Sequence, residues 1–526
     1  MNDNLNRKFD YSVRLFDRTE YCDLSDDYTL PDYMPAIGRI ISSQATASTP
    51  TLYLGNGTAE FAGGIKYSVL YESAEDSSLW CADLPSEYDL ILNDSKIPKD
   101  PSALSYIPDV SAENISARVT APRKMTLKSR VRILPELRVS SDSETLIHGE
   151  RGGDDLRILT SRANCGYYSC VSNAPLVCKD RLTRAEAGLS PSDAFRIISS
   201  RGDATISHVQ LSEGGALCRG EVYAHILLTR EGEGERPRKM IRKIPFAETL
   251  SLTGTLPEKS QVVGIRAMGV CPTVTATANE DSIELEASVM LSAEAAAEGN
   301  IEYIKDAYSK VSDCETSARK ITLLSPVACW NGNATVSTSK PLSEISLDSG
   351  MRLCDIRASI LPEINTEISE GGRFTASGKI KISAIADNGA ELIPAEFESD
   401  MKYTADIRTS NSEHPLKTSL TASISEVKGR IDSDRLICDC EVYVSCLINQ
   451  ECEIDAIGEI NLTPSSYSAP NNSHIRVCYP SSGESLWDLA KRYRKDPESI
   501  AEGNSLDPSI SPDSPESLQN TKFIII

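Results

Sequence analysis

The chain contains no run of eighteen or more apolar residues and no apolar segment behind Met1–Asp10, so neither a membrane-spanning helix nor a secretory leader is expected, and synthesis and residence in the cytosol follow as the expectation. Histidine is scarce. The five that occur, His148, His208, His225, His414 and His474, stand apart from one another and from cysteine, which leaves no H-E-x-x-H or similar metal spacing. A Gly-rich phosphate loop and a G-x-S-x-G nucleophile turn are both missing. Positive charge is in deficit: 54 Lys and Arg face 76 Asp and Glu, a net of -22. Such a surface repels nucleic-acid phosphates and anionic headgroups, so neither nucleic acid nor a membrane is expected as partner. One basic run, Arg236, Arg238, Lys239, Arg242 and Lys243, reads as the solvated edge of a hairpin. No tight cysteine framework exists either; fifteen scattered cysteines, an odd number, suit free thiols in a reducing compartment.

These absences nominate no catalytic residue, no metal ligand and no cofactor, and the chain reads as a non-enzymatic binding protein. Cys438, Cys440 and Cys446 sit at even spacing on one strand face, as buried cysteines do. His225, between Ala224 and Ile226, is expected on the water-facing side of its strand, and Arg201-Gly-Asp203 is expected to make a turn.

What is present is repetition. At 526 residues three or four domains are expected. Arg39-Ile-Ile-Ser-Ser43 recurs as Arg196-Ile-Ile-Ser-Ser200, an offset of 157. The same offset aligns Gly63-x-Ile65-x-Tyr67-x-Val69-x-Tyr71 with Gly220-x-Val222-x-Ala224-x-Ile226-x-Leu228, and a third copy, Gly378-x-Ile380-x-Ile382-x-Ala384-x-Ala386, follows 158 residues later. Apolar residues at every second position describe a strand with one face in a core and the other toward water. Turn signals follow at Ser73–Ser78, Glu231–Glu235 and Asp387-Asn388-Gly389, so these are hairpins. A second arm recurs as Met125-x-Leu127-x-Ser129-x-Val131, Ile283-x-Leu285-x-Ala287-x-Val289 and Leu436-x-Cys438-x-Cys440-x-Val442. Helical stretches are few, with Arg181–Ala187 and Ile301–Ser309 as candidates. The expected fold is mainly β: three tandem sandwich-like repeats over residues 1–165, 166–322 and 323–464, set in a row with separate cores, then a Ser-, Asn- and Pro-rich linker at 465–473.

Residues 474–526 follow a different pattern. A short strand near Ile475 leads through Gly483-Glu-Ser-Leu-Trp487 into a helix that Ser485 can cap, with Asp488 three residues on, and Leu486, Leu489, Ala490 and Tyr493 fall on one face. Asp496-Pro497 starts a second helix, Gly503-Asn504 ends it, and Lys522–Ile526 can pair with the first strand. Trp487 is expected to pack.

The strand–helix–helix–strand order, with Gly483-Glu-Ser-Leu486 at the first turn and Asn504-x-Leu506 after the second helix, closely resembles the LysM domain, a small α+β fold. The tandem hairpins ahead of it resemble the SPOCS, or spore-coat-associated, domains of endospore-forming bacteria. Carried over by position, the LysM resemblance implies a shallow groove for N-acetylglucosamine-containing glycans at Gly483, Glu484, Ser485, Leu486, Asn504 and Leu506. The copy departs from the pattern: Glu484 and Ser485 stand where Asp and Thr are usual, Pro480 replaces an apolar strand residue, Asn520 replaces a Gly, and the Pro- and Ser-rich loop Asp507–Ser517 is long. Together the resemblances imply a spore-envelope assembly protein on the mother-cell side of the forespore. Its LysM module would hold a partner protein, such as the morphogenetic coat ATPase, or a glycan; the alternative is a peptidoglycan-binding wall protein.

Overall fold

A computed structural model describes residues 7–16, 18–99, 104–149, 154–213, 215–230, 237–254, 256–361, 363–369, 373–406, 415–464, 475–507, 509–518 and 521–526. It is mainly β, in antiparallel sheets, and the two α-helices among the described residues lie close to the C-terminus. In residues 8–144 the strands are β1 (Lys8–Phe16), β2 (Glu20–Thr29), β3 (Ile37–Ala47), β4 (Thr51–Leu54), β5 (Thr58–Ser73), β6 (Leu79–Asn93), β7 (Leu104–Ala121) and β8 (Lys124–Glu144), followed by a short β9 (Leu146–His148). Residues 156–309 form β10 (Leu156–Thr183), β11 (Phe195–Ser212), β12 (Gly215–Arg230), β13 (Arg238–Leu250), β14 (Gln261–Ala278) and β15 (Ser282–Ser309). Residues 312–464 form β16 (Ser312–Pro341), β17 (Arg352–Ile360), β18 (Asn365–Ile368), β19 (Arg373–Asp387), β20 (Leu392–Asp406), β21 (Leu416–Asp432) and β22 (Arg435–Pro464).

One strand order runs through all three stretches. The last strand is central in one sheet, flanked by the first strand and the penultimate one: β10-β15-β14, β16-β22-β21, and β8 between β7 and the pair β1 and β2. The intervening strands, three in the second stretch and four in the other two, form the second, or meander, sheet: β11-β12-β13, β19 between β20 and the pair β17 and β18, and β5 between β6 and the pair β3 and β4. Alternation explains the packing. Ile65, Tyr67, Val69 and Tyr71 of β5 are buried, as are Val222, Ala224, Ile226 and Leu228 of β12 and Ile380, Ile382, Ala384 and Ala386 of β19. In each stretch they meet the buried face of the other sheet, Met125, Leu127 and Val131 in the first, for example, so both sheets enclose one core. Cys438, Cys440 and Cys446 are buried there as free thiols.

Several expectations are corrected. Arg181–Thr183 ends strand β10, and Ile301–Ser309 is the last part of β15 rather than a helix. Its Ile301–Ser309 backbone pairs with Leu156–Ala163 of β10, and cross-strand pairing with burial of Ile301, Tyr303, Ile304 and Tyr308 overrides a modest helix propensity. Strands β10 and β16 also run straight through positions 165/166 and 322/323, so the chain changes stretch at 145–155 and 310–311 instead. Arg201-Gly-Asp203 lies inside β11, where Gly202 lets Cys271 and Val274 approach; a Cβ there would meet both at 2.5 Å. The Glu231–Glu235 turn, the linker 465–473, Arg236, His414, His474 and Asn520 lie outside the described residues.

The stretches do not lie in a row. They close into a ring, each touching the other two. Arg39, Arg196 and Arg352 hold the same place at the start of the meander, and each reaches across to a neighbouring stretch. Arg39 donates to the Leu392 carbonyl at 3.0 Å, Arg352 to the Pro237 carbonyl at 3.3 Å, and Arg196 stacks over Trp80 at 4.5 Å. At the ring's centre Ile41, Ile198 and Cys354, again in matching places, join Leu70, Leu227 and Ile385 in one apolar cluster. On the side of the long sheets the centre is ionic. Glu136 Oε1 accepts from Arg138 at 2.8 Å and Oε2 from Arg266 at 2.8 Å; Arg266 also donates to Glu294 at 2.8 Å, Arg138 pairs with Glu294, and Ser419 donates to Glu136. Burial would raise the Glu136 carboxyl, yet Arg138, Arg266 and Arg14 hold it far below the usual carboxylate range. Finally β9 pairs in parallel with Glu459–Asn461 of β22, and Thr145 donates to the Ile457 carbonyl at 2.6 Å, stitching the first stretch to the third.

Glu294→Gln leaves Arg138 and Arg266 buried without a full counter-charge and is expected to lower stability by about 3 kcal/mol, read as an earlier urea midpoint of the whole chain. An unchanged midpoint would show that the ionic centre does not hold the ring.

Candidate functional site

The C-terminal residues form β23 (Val477–Cys478), α1 (Leu486–Tyr493), α2 (Pro497–Gly503) and β24 (Ile524–Ile525), with β23 and β24 antiparallel. Local chemistry sets these bounds. The Ser485 side chain accepts from the Asp488 N–H while the Asp488 carboxylate accepts from the Ser485 N–H, a reciprocal cap that starts α1, and Arg494 in the left-handed region ends it. Pro497 opens α2 and Asn504 closes it. Leu486, Leu489, Ala490, Ile500, Leu518 and Ile524 make the module's core.

The structure places the six sequence-predicted residues unequally. Gly483 is exposed at φ +83, and a Cβ added to it would meet no heavy atom within 4 Å, so it turns the chain and faces open space. Glu484 and Ser485 are buried. The Glu484 carboxylate accepts from the Ser481 N–H at 2.9 Å and pairs with Arg492, while Ser485 is the cap. Leu486 is buried, and its N–H donates to Ser517 Oγ at 2.9 Å; the next N–H, of Trp487, donates to the Pro512 carbonyl at 2.8 Å. The loop after α2 therefore folds over the start of α1 and takes the donors that a helix N-terminus would otherwise offer a ligand. Asn504 bonds the Ile500 carbonyl at 2.8 Å and both backbone groups of Ile525, at 2.7 and 2.8 Å, tying α2 to β24. Leu506 packs on the module's core.

Trp487 packs, and what it packs against lies outside the module. Its ring meets Tyr308 edge-on at 4.9 Å and its Nε1 donates to Asp306 at 2.9 Å, both on β15. Around this contact Lys491 pairs with Asp306 at 2.7 Å, Lys310 with Asp496 at 3.1 Å, Lys305 with Asp513 at 2.8 Å, and Arg157 also with Asp496. Partly exposed pairs of this kind each add little, so the buried aromatic contact is the anchor. The opposite side of the module is open. Ile475, Val477 and Tyr479 alternate along β23 and its flanks at 80, 52 and 75% exposure, and Phe523 and Ile525 stand beside them at 51 and 43%. Apolar side chains grouped this way mark an interaction surface more often than isolated ones do.

A second polar assembly lies where the meanders meet. His225 is buried, contrary to the water-facing position expected for it, because the outer face of β12 is covered by the neighbouring stretch. Its Nε2 lies 3.0 Å from Asp203; Lys239 pairs with Asp355 at 2.9 Å and Arg357 with Asp355 at 2.6 Å. Burial pushes the His225 pKa down to about 4, helped by the Arg201 charge and opposed by Asp203. Asp203, which burial would raise, is held at about 2 by the His225 bond and Arg201. The basic run is accordingly not simply a solvated edge: Lys239 is in this assembly, while Arg242 pairs with Asp180 at 2.6 Å and Lys243 with Glu426 at 3.4 Å. Among the described residues no group of three or more His, Cys, Asp and Glu could hold a metal ion, and no helix is long and apolar enough to cross a membrane.

No protein-family model matches the chain, and no curated protein matches it.

Replacing Asp306 and Tyr308 by alanine together removes the anchor for Trp487, at about 2 kcal/mol of docking free energy. A red-shifted, more quenchable tryptophan emission with retained helicity is expected; an unchanged spectrum would refute the docking. For His225 the unfolded chain, with its histidine near 6.5, binds more protons than the folded one between that value and about 4. Stability is therefore lost as pH falls through this window, by about 2 kcal/mol between pH 7 and 5, before the low-pKa carboxylates contribute. His225→Gln should flatten most of that decline in melting temperature, and an equal decline in the variant would count against the assignment.

Proposed function

We propose that the chain is a non-enzymatic assembly protein of the spore envelope, built from three SPOCS-like sandwich repeats and a LysM-type C-terminal module, similar in kind to clostridial spore-coat assembly proteins. In this reading it works on the mother-cell side of the forespore, where the module holds a protein partner, the morphogenetic coat ATPase, and the repeats form the platform behind it. The strand–helix–helix–strand order of 477–525 with its Ser485–Asp488 cap supports the module's assignment. The recurrence of one strand order in three stretches supports that of the repeats.

One observation favours protein over glycan. The polar groups of the loop at 483–487 are largely engaged inside the chain, by Ser517, Pro512, Arg492 and the cap, whereas five large apolar side chains stand exposed on the module's sheet. A sugar needs placed polar groups to fix its orientation, which this loop has largely spent, whereas a protein partner is held through apolar anchors with a polar rim. The peptidoglycan-binding reading remains the alternative, resting on Gly483, which keeps the loop's outer side open.

Full-length protein carrying Val477→Asp and Ile525→Lys should lose its focus on the forespore when followed as a fluorescent fusion and bind the coat ATPase at least about tenfold more weakly, without unfolding, because both side chains already face water. Wild-type protein should not be retained on purified peptidoglycan. Strong retention there, with the sheet-face variant still localising, would overturn the reading in favour of the wall-binding alternative.

A further inference from the structure

The geometry points to an oxyanion-binding site at the centre of the ring, made by all three stretches and open to a group of phosphate or sulfate size. A cavity of about 30 Å³ lies there, walled by Lys66 of β5, Arg201 of β11 and Arg357 of β17 together with the Ser42, Thr46 and Ser199 hydroxyls. That volume exceeds what a single water needs and suits one compact polar group. Three cations line it and no carboxylate does. The acids that balance them are Asp83 on Lys66 at 2.7 Å, Asp355 on Arg357 at 2.6 Å and Asp203 on Arg201 at 3.4 Å, the last two on the wall of the adjoining groove rather than of the cavity.

The arginines keep donors in reserve. Arg357 uses Nε on Asp355 and Nη1 on Gln44, and Arg201 uses Nη1 on Asp203, so Arg357 Nη2 and Arg201 Nε and Nη2 have no protein partner among the described residues. Burial, and then the facing Arg357 charge, lowers the Arg201 pKa to about 10, a penalty that an anion between the two guanidiniums would relieve. Planar forks converging from two sides match the geometry of a tetrahedral oxyanion. Matching places in the repeat supply this centre, Gln44, Arg201 and Arg357, and only in the second and third copies is the residue cationic. A much larger groove of about 1560 Å³ between the first and third stretches adjoins the cavity and shares Ser42, Gln44, Thr46, Arg201 and Arg357 with it. The oxyanion is thus either free or the head of a larger molecule whose body lies in the groove.

The test is a titration of the full chain with sodium phosphate, sodium sulfate and glycerol 3-phosphate against sodium chloride at matched ionic strength, reading heat and melting temperature. A saturable rise is expected with the oxyanions beyond that with chloride, weakened about tenfold or more in Arg201→Gln and unaffected by Lys379→Gln on the groove rim. Should Arg201→Gln fail to fold, Thr46→Val reads the same wall with a smaller loss. Tighter binding of glycerol 3-phosphate than of phosphate identifies the larger molecule as the source, and equal or weaker binding the free anion. A response no greater than that to chloride, or one unchanged in the foldable variant, overturns the site.

Discussion

Three double-layered stretches must share one buried centre, and that constraint decides more of this structure than any single core. Each meander sheet has two faces. One face of β5, β12 and β19 packs on the other sheet of its own stretch; ring closure buries much of the second face as well, so Leu70, Leu227 and Ile385, one residue out of step with the inward-facing set, also leave water. What would be a polar outer surface in an isolated domain becomes a junction, and buried polar groups must then find partners there. The ionic cluster of Glu136, Arg138, Arg266 and Glu294 is the clearest outcome. Its two carboxylates face the Arg138 and Arg266 guanidiniums, with a third, Arg14, at Glu136 and with Ser419 and Tyr168 around them, so every carboxylate is ion-paired where desolvation is most severe.

The closure uses one residue three times with three different results. Arg39, Arg196 and Arg352 all project across a boundary, and two of them end on a backbone carbonyl of the strand that opens the neighbour's last meander arm. The third stacks over Trp80. Arg39 and Arg352 are also steadied by an acid of their own stretch, Glu72 at 3.0 Å and Asp387 at 3.5 Å. The three arginines share a place in the strand order and each reaches a different boundary. Each interface needs only to reach across; how it does so can drift.

Sequence reading reached the local features and missed those that arise between stretches. Alternation at Ile65–Tyr71, Val222–Leu228 and Ile380–Ala386 located the central strands, and the Asp387-Asn388-Gly389 turn forms with Gly389 at φ +93. The Ser485 cap was legible because capping is decided within four residues, and the α2 start because Pro497 suits a first helical position, although the Asp496 side chain makes no cap bond and instead pairs with Arg157 and Lys310. His225, Lys239 and Trp487 were legible in kind but not in place. For His225 and Lys239 the deciding contact comes from residues on other strands, and for Lys239 from another stretch, Asp355 lying more than a hundred residues away. No periodicity encodes that. The Ile301–Ser309 segment failed for a related reason: its composition tolerates a helix, and only the pairing with β10 rules one out.

Charge distribution links the ring to its surroundings. The chain is strongly acidic, yet many of its arginines and lysines are drawn into boundaries: Arg138 and Arg266 at the ionic centre, Arg201, Lys239 and Arg357 between the meanders, Arg157, Lys310 and Lys491 under the C-terminal module. These cations are paired with acids of the same boundaries, Glu136, Glu294, Asp203, Asp355, Asp306 and Asp496, so the outer surface keeps the negative sign of the net charge. A surface of that sign disfavours like-charged polymers and self-association at long range, and it leaves short-range apolar contact as the means of selecting a partner. The one place where several large apolar side chains gather in the open among the described residues is the sheet of the C-terminal module, on the side turned away from Trp487 and β15. Docking through Trp487 therefore does more than attach the module. It fixes which face is covered and which is presented, so that recognition at one end is oriented by the same ring that the buried charges hold closed.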